Sequence, residues 1–139
     1  MMAEKIQLRL VTPSRLLLDE VVDEVTAPGV LGEFGVLPNH IAFLATLEIG
    51  EMSYKQGVQR VYLALSGGYA EVLDNVMTVL ANAAEFGGEI DVERAREARE
   101  RTEKKLEELN REDKEFAMTE AALHRALLRL QIAAKAPRH

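Results

Sequence analysis

The sequence has 139 residues, 47% of them hydrophobic and 29% charged, which suits a folded globular chain and excludes wholesale disorder. Its formal net charge of −6 opposes a general nucleic-acid role, because duplex binding rests on many Lys and Arg contacts to phosphate. The lack of cysteine excludes disulfides, thiolate zinc sites and cysteine nucleophiles.

The first residues, Met1-Met2-Ala3-Glu4-Lys5, run into the alternating Ile6, Leu8 and Leu10 without the basic flank and long apolar run of a secretion signal. No apolar stretch approaches the roughly 18 residues that suggest a membrane span. A soluble chain is expected, one able to sit on a membrane complex. From Lys5 to about Ala84, apolar residues recur with period two in short bursts, as in Val58/Val61/Leu63/Leu65 and Val76/Leu80. Turn signals at Pro13-Ser14, Pro28-Gly29, Pro38-Asn39, Gln56-Gly57, Gly67-Gly68 and Asp74-Asn75 have the spacing of an antiparallel sandwich or barrel.

The pattern changes after Gly87-Gly88. No glycine follows, no proline comes before Pro137, and Ala, Glu, Arg, Lys and Leu dominate, which predicts helix. Two domains are expected, a β-domain over 1–86 and a helical hairpin over 90–136, giving an α+β chain. Asp91 is placed to cap a first helix running to about Leu109, with a thin apolar stripe of Val92, Ala95, Ala98, Thr102, Leu106 and Leu109. After a turn at Asn110–Asp113, a second helix from about Lys114 to Ala134 carries Phe116, Leu123, Leu127 and Leu130 on the face expected to meet the first. Leu128 and Ile132 project to the opposite side, so a second covering surface is expected there. A two-helix unit of about 50 residues is near the limit of independent folding, and a conditionally docked hairpin follows.

Chemistry is sparse. His40, His124 and His139 are distant in sequence and match neither a nucleophile-base-orienter set nor a zinc motif. The run Gly29-Val30-Leu31-Gly32-Glu33-Phe34-Gly35 lacks the Lys-Ser/Thr of a P-loop and reads as tight turns. Phe34, Val36, Leu37 and Pro38 then form an apolar patch closed by Asn39-His40, and an apolar loop of this kind marks a contact surface. His40 reads either as a loop histidine fixing a turn or as part of that interface. An intrinsic active site is not expected.

Several segments in a fixed order carry a resemblance: Thr12-Pro13, then Gly32-Glu33-Phe34-Gly35-Val36-Leu37-Pro38-Asn39-His40, then Leu65-Ser66-Gly67-Gly68, read as a hairpin, then Val79-Leu80-Ala81 and Ile90-Asp91-Val92-Glu93-Arg94-Ala95. Over nearly all its length the chain resembles the epsilon-subunit family of bacterial F-type ATP synthases. The resemblance implies an N-terminal β-sandwich joined to a C-terminal two-helix domain, and a non-catalytic central-stalk subunit on the cytoplasmic face of the inner membrane. Its partners would be the gamma subunit and the c ring, with alpha and beta subunits met in an inhibitory state. Glu33, Phe34, Gly35, Val36, Leu37, Pro38 and His40 would face the c ring, and the helices would restrain ATP hydrolysis when extended along gamma. The run Ile90-Asp91-x-x-Arg94-Ala95 also resembles the motif by which some members bind ATP. It makes Glu85, Asp91, Arg94, Arg101, Arg125 and Arg129 candidate nucleotide ligands, with ATP a regulatory ligand rather than a required cofactor. Arginine forks suit phosphate oxygens, yet Asp91 is equally a helix cap, and exposed arginines often serve salt-bridge ladders. A free-standing ATP sensor, and a small β-barrel enzyme with a helical extension, are the competing functions.

Overall fold

The computed structural model describes residues 4–136. Strands β1 (Ile6–Val11), β2 (Leu16–Val22), β3 (Glu24–Gly29), β4 (Gly32–Val36), β5 (Phe43–Gln56), β6 (Gln59–Leu73), β7 (Val76–Ala81) and β8 (Ala84–Phe86) make up one compact unit. The residues from Gly87 onward make up a second. That unit holds a 3-10 turn (Gly87–Glu89) and helices α1 (Val92–Glu108) and α2 (Lys114–Lys135).

The strands hydrogen-bond in the order β2-β1-β7-β6-β5-β3-β4, with β8 on β6. Two layers arise from this path because β5 and β6, 14 and 15 residues long, each serve both. The second half of β6, from Gly68, pairs with β7, while Leu63–Leu65 in its first half pair with β8. Gly67 and Gly68 sit at the changeover with φ of 85° and 133°. They form a bend inside a continuous strand, which corrects the hairpin expected at this place. A Cβ on Gly68 would lie 2.0 Å from the Leu80 carbonyl oxygen, so only glycine fits the crossing. Pro28-Gly29 likewise lies within β3 rather than in a turn; the reversal falls on Val30 and Leu31.

The sheet is mixed. β1 runs parallel to β7, from Gln7 opposite Val76 to Val11 opposite Leu80, and every other pairing is antiparallel. Period-two alternation points Ile6, Leu8 and Leu10 of β1, Leu63 and Leu65 of β6, and Met77 and Val79 of β7 into one core with Val25, Met52 and Val72. Burying each large side chain contributes about 1.5–3 kcal/mol. Polar ties close the layer edge: Arg60 on β6 donates to Ser53 Oγ on β5 at 3.0 Å and pairs with Glu24 on β3. Lys5 Nζ and the Gly57 backbone N–H both donate to the Asp23 carboxylate, at 2.6 and 2.7 Å. Val58, read as part of a strand, occupies the β5–β6 turn and is fully exposed.

In the helical unit, Asp91 caps α1 by accepting the Arg94 backbone N–H at 3.1 Å. The connection at 110–113 closes on itself. Asp113 accepts the Asn110 N–H through its side chain and returns its own N–H to the Asn110 carbonyl, both at 2.9 Å. Lys105 on α1 pairs with Glu115 on α2 at 3.2 Å, across two antiparallel helices near their connection.

The buried positions of the hairpin are Ala95 and Thr102 on α1, and Thr119, Ala126 and Ala133 on one face of α2, each seven residues after the last. The leucine face expected to meet α1 is displaced to the margin: Phe116, Leu123 and Leu130 are half-buried and Leu127 is 39% exposed. Small side chains at the centre let two backbones approach, and the large ones then flank the contact. On the opposite side of α2, Leu128 and Ile132 are buried. The 3-10 turn reaches Ile132 so closely that a Cβ on Gly87 would stand 3.0 Å from its Cγ2.

Candidate functional site

Two regions carry the residues singled out by sequence. The first is the chain from β4 into β5. Val36 pairs with Val25 and is 1% exposed, so it supports this region from within the core and offers no side chain to a partner. Glu33 and Gly35 are exposed, Phe34 and Pro38 half-buried, and Leu37 exposed. Asn39 adopts φ 64°, a conformation asparagine tolerates better than most residues. Its backbone N–H donates to Asn75 Oδ1 at 2.8 Å, and Asn75 Nδ2 in turn donates to the Lys5 carbonyl at 2.7 Å. The loop is thereby tied to the β6–β7 turn and to the chain entering β1.

His40 is half-buried and its ring is committed. Nδ1 lies 2.8 Å from the Ile41 carbonyl, which only accepts, so Nδ1 carries the proton. The ring also meets Phe43 edge-on, with centroids 5.7 Å apart, and Phe43 meets Phe34 at 5.2 Å. Its part is therefore to shape the loop, with Leu37 held outward beside it. Beyond His40, Ile41 and Leu44 are exposed apolar residues that sequence reasoning passed over, as are Val30 and Leu31 at the β3–β4 turn. Their signal was simply apolar side chains in turns, where solvent is the default neighbour.

Register reveals another missed surface. Leu16 of β2 lies opposite Val11 of β1, Val11 opposite Leu80 of β7, Leu80 opposite Tyr69 of β6, and Tyr69 opposite Thr46 of β5. Leu16, Leu80 and Tyr69 are exposed and Val11 is half-buried, so an apolar row crosses the outward face of four strands and ends at the polar Thr46 of β5. It was invisible in sequence because its members are far apart along the chain.

The second region is the proposed nucleotide set. Glu85 lies on β8 in the strand unit, half-buried and opposite Ala64; the other five lie in the helical unit. Asp91 spends one oxygen on the helix cap. Arg94, Arg101 and Arg125 are exposed and Arg129 is half-buried. With the small-residue seam facing inward, about 100° per residue puts Arg94 and Arg101 on one flank of α1. Because α2 runs antiparallel, the same rotation puts Arg125 and Arg129 on that same side of the hairpin. The four arginines thus lie on one side of the hairpin, where Arg101 shares a groove of α1 with Glu97, Glu100, Glu103, Lys104 and Glu107. Among the described residues, no group of three or more His, Cys, Asp or Glu is placed to hold a metal. No described helix is long and apolar enough to cross a membrane.

A strand unit with an outward apolar row and a tied apolar loop, followed by a charged helical hairpin, has the surfaces of a protein-binding subunit. The comparisons agree. Residues 5–87 match the β-sandwich domain of the ATP synthase delta/epsilon chain, and residues 89–134 match that chain's long α-helix domain. The chain is 54% identical to the ATP synthase epsilon chain of Geobacter sulfurreducens and 55% identical to that of Trichlorobacter lovleyi, over 99% of each chain in both cases. In the cryo-EM structure of the Euglena gracilis mitochondrial ATP synthase (OSCP/F1/c-ring), one chain superposes with a TM-score of 0.79 at 27% identity, over 98% of this chain and 84% of that one. A chain of the Tetrahymena thermophila enzyme shares the fold at a TM-score of 0.57 and 17% identity, over 97% and 98%. The chain belongs to the ATP synthase delta/epsilon family. Its role is the central-stalk, non-catalytic one of that family's epsilon chains.

Proposed function

We propose that the strand unit fastens this chain to the rotor of a proton-driven ATP synthase on the cytoplasmic face of the inner membrane, and that the helical hairpin restrains ATP hydrolysis. The observation that carries this is near-full-length identity of more than half to bacterial epsilon chains. The apolar row of Leu16, Leu80 and Tyr69 suits a broad contact with the gamma subunit. The exposed Leu37, with Glu33, Phe34, Gly35, Pro38 and the His40 ring beside it, suits the loops of the c ring. A loop tied through Asn39 and Asn75 loses little freedom on binding, which favours a durable contact.

The hairpin is the movable part. Its charged outer faces and thin seam let it leave one surface for another, such as gamma and the alpha/beta subunits. ATP held by Arg94, Arg101, Arg125 and Arg129, with Asp91 at the adenosine end, favours the folded hairpin. At ten times its dissociation constant ATP adds about 1.4 kcal/mol, so the two conformations lie close in energy. Assembled complexes carrying either the full chain or a chain ending at Gly88 test the division of labour. The shortened chain is expected to co-purify with the complex and to release hydrolysis. Unchanged inhibition would remove the hairpin as the brake, and failure to co-purify would remove the strand unit as the anchor.

A further inference from the structure

A cavity of about 290 Å³ opens at one end of the strand unit, between the β1–β2 turn at 12–15 and the segment 82–84 where β7 passes into β8. Because β1 and β7 run parallel, these two connections lie side by side, at the end remote from the Asn39–Asn75 tie. Both walls are fixed. Thr12 and Arg15 exchange backbone hydrogen bonds at 2.9 and 3.2 Å, and the backbone N–H groups of Ser66 and Asn82 donate to the Ala83 and Gly67 carbonyls, both at 3.0 Å. The cavity offers donors. Arg15 is exposed and, among the described residues, forms no ion pair, whereas the other arginines of the strand unit, Arg9 and Arg60, pair with Asp19 and Glu24. Ser14 supplies a hydroxyl, and Asn82 Nδ2, which donates to the Ser66 carbonyl at 3.2 Å, keeps a second proton. No carboxylate lines the cavity, in a chain whose net charge is −6.

We propose that this cavity takes the side-chain carboxylate of an Asp or Glu on the protein that covers the apolar row. Arg15 directly precedes Leu16, where the row begins, so one partner reaches both. One guanidinium fork matches one carboxylate in charge and in its two parallel hydrogen bonds, while a phosphate here would leave charge unmatched. An ion pair beside an apolar contact fixes register and rejects wrong placements. The inference rests on the gamma contact proposed above, and adds the acidic residue that gamma presents there.

Binding of the full chain to an ATP synthase complex assembled without it, followed by interferometry, tests this. Arg15→Ala is expected to weaken binding about ten- to a hundredfold and to flatten its salt dependence. The denaturation midpoint of the isolated chain should stay unchanged, because the exposed Arg15 has no partner to lose. Arg15→Glu should bind more weakly still and be restored by one Asp or Glu to Arg exchange in gamma. Binding untouched by Arg15→Ala would overturn the proposal, as would the failure of every acidic position of gamma to restore Arg15→Glu. Arg15-dependent heat from inorganic phosphate on the isolated chain, with complex binding unaltered by Arg15→Ala, would make the cavity a free-anion site instead. Leu80→Asp separates the two levels. If it weakens binding and Arg15→Ala does not, the row stands and the carboxylate falls; if it leaves binding intact, the gamma contact at the row falls and this inference with it.

Discussion

The strand unit and the helical unit bury different kinds of surface. Between the layers of the first lie Ile6, Leu8, Leu10, Leu63, Leu65 and Met77, all fully buried. Between the helices of the second lie two threonines and alanines. An alanine buries a single methyl, while a leucine buries three more carbons at about 0.8 kcal/mol each, so the second contact is far weaker for its length. The hairpin instead draws on local terms: an aspartate cap, a self-closing turn, and ion pairs such as Arg96–Glu93 and Arg99–Glu103 one turn apart on α1. Exposed pairs of that kind contribute only a few tenths of a kcal/mol each. A densely packed unit joined to a weakly closed one suits the division proposed above, with one part as the anchor and the other as the responsive element.

Truncating the strong side should give the largest effect. Leu63→Ala removes a fully buried side chain in the first half of β6 and is expected to cost about 2–5 kcal/mol, read as a shift in chemical denaturation of the strand signal. A loss under about 1 kcal/mol would mean that the core is less closely packed than its burial implies. On the weak side, the arginine flank should respond to ligand rather than to denaturant. Arg94→Ala or Arg125→Ala is expected to weaken ATP binding roughly tenfold or more by calorimetry, since a charge-assisted hydrogen bond is worth about 1.5–3 kcal/mol. Equal heats for wild type and variants would move ATP to another place or off the chain.

The smallest effect is confined to acid. The hydrogen bond from Lys5, reinforced by the Gly57 N–H, holds the Asp23 carboxyl below its usual pKa. A depressed folded pKa means that the contribution is complete above the unfolded value of about 3.9 and is lost as pH falls through the lower folded value. Asp23→Asn should therefore flatten the acid limb of stability against pH for the strand unit, leaving the helices unaffected. An unchanged acid limb would show that this tie between the start of β1 and the β5–β6 turn carries no weight.

How much was legible depended on whether the signal was local. The switch from strands to helices at Gly87-Gly88, the Asp91 cap and the alternation of Ile6, Leu8 and Leu10 are short-range patterns, and each appears in the structure. Gly67-Gly68 is the instructive failure. Two glycines between apolar runs read as a hairpin, and the same freedom of φ serves equally for a bend where β6 passes from one layer to the other. The second helix failed for a different reason. Hydrophobic periodicity gives most weight to leucines, whereas close helix packing selects the smallest residues at the centre and leaves Leu123, Leu127 and Leu130 at its edge.

By itself, the sequence determined the strand half and the two helices that follow it, the absence of cysteine chemistry, and the segment order that resembles the epsilon family, because these reside in neighbours along the chain. Tertiary structure alone decided the parallel pairing of β1 with β7, the apolar row across four strands, the burial of Val36 and the small-residue seam between α1 and α2. Each of these joins residues from separate elements. Which partners meet is set by layer packing and strand register, terms that no local window of the chain contains.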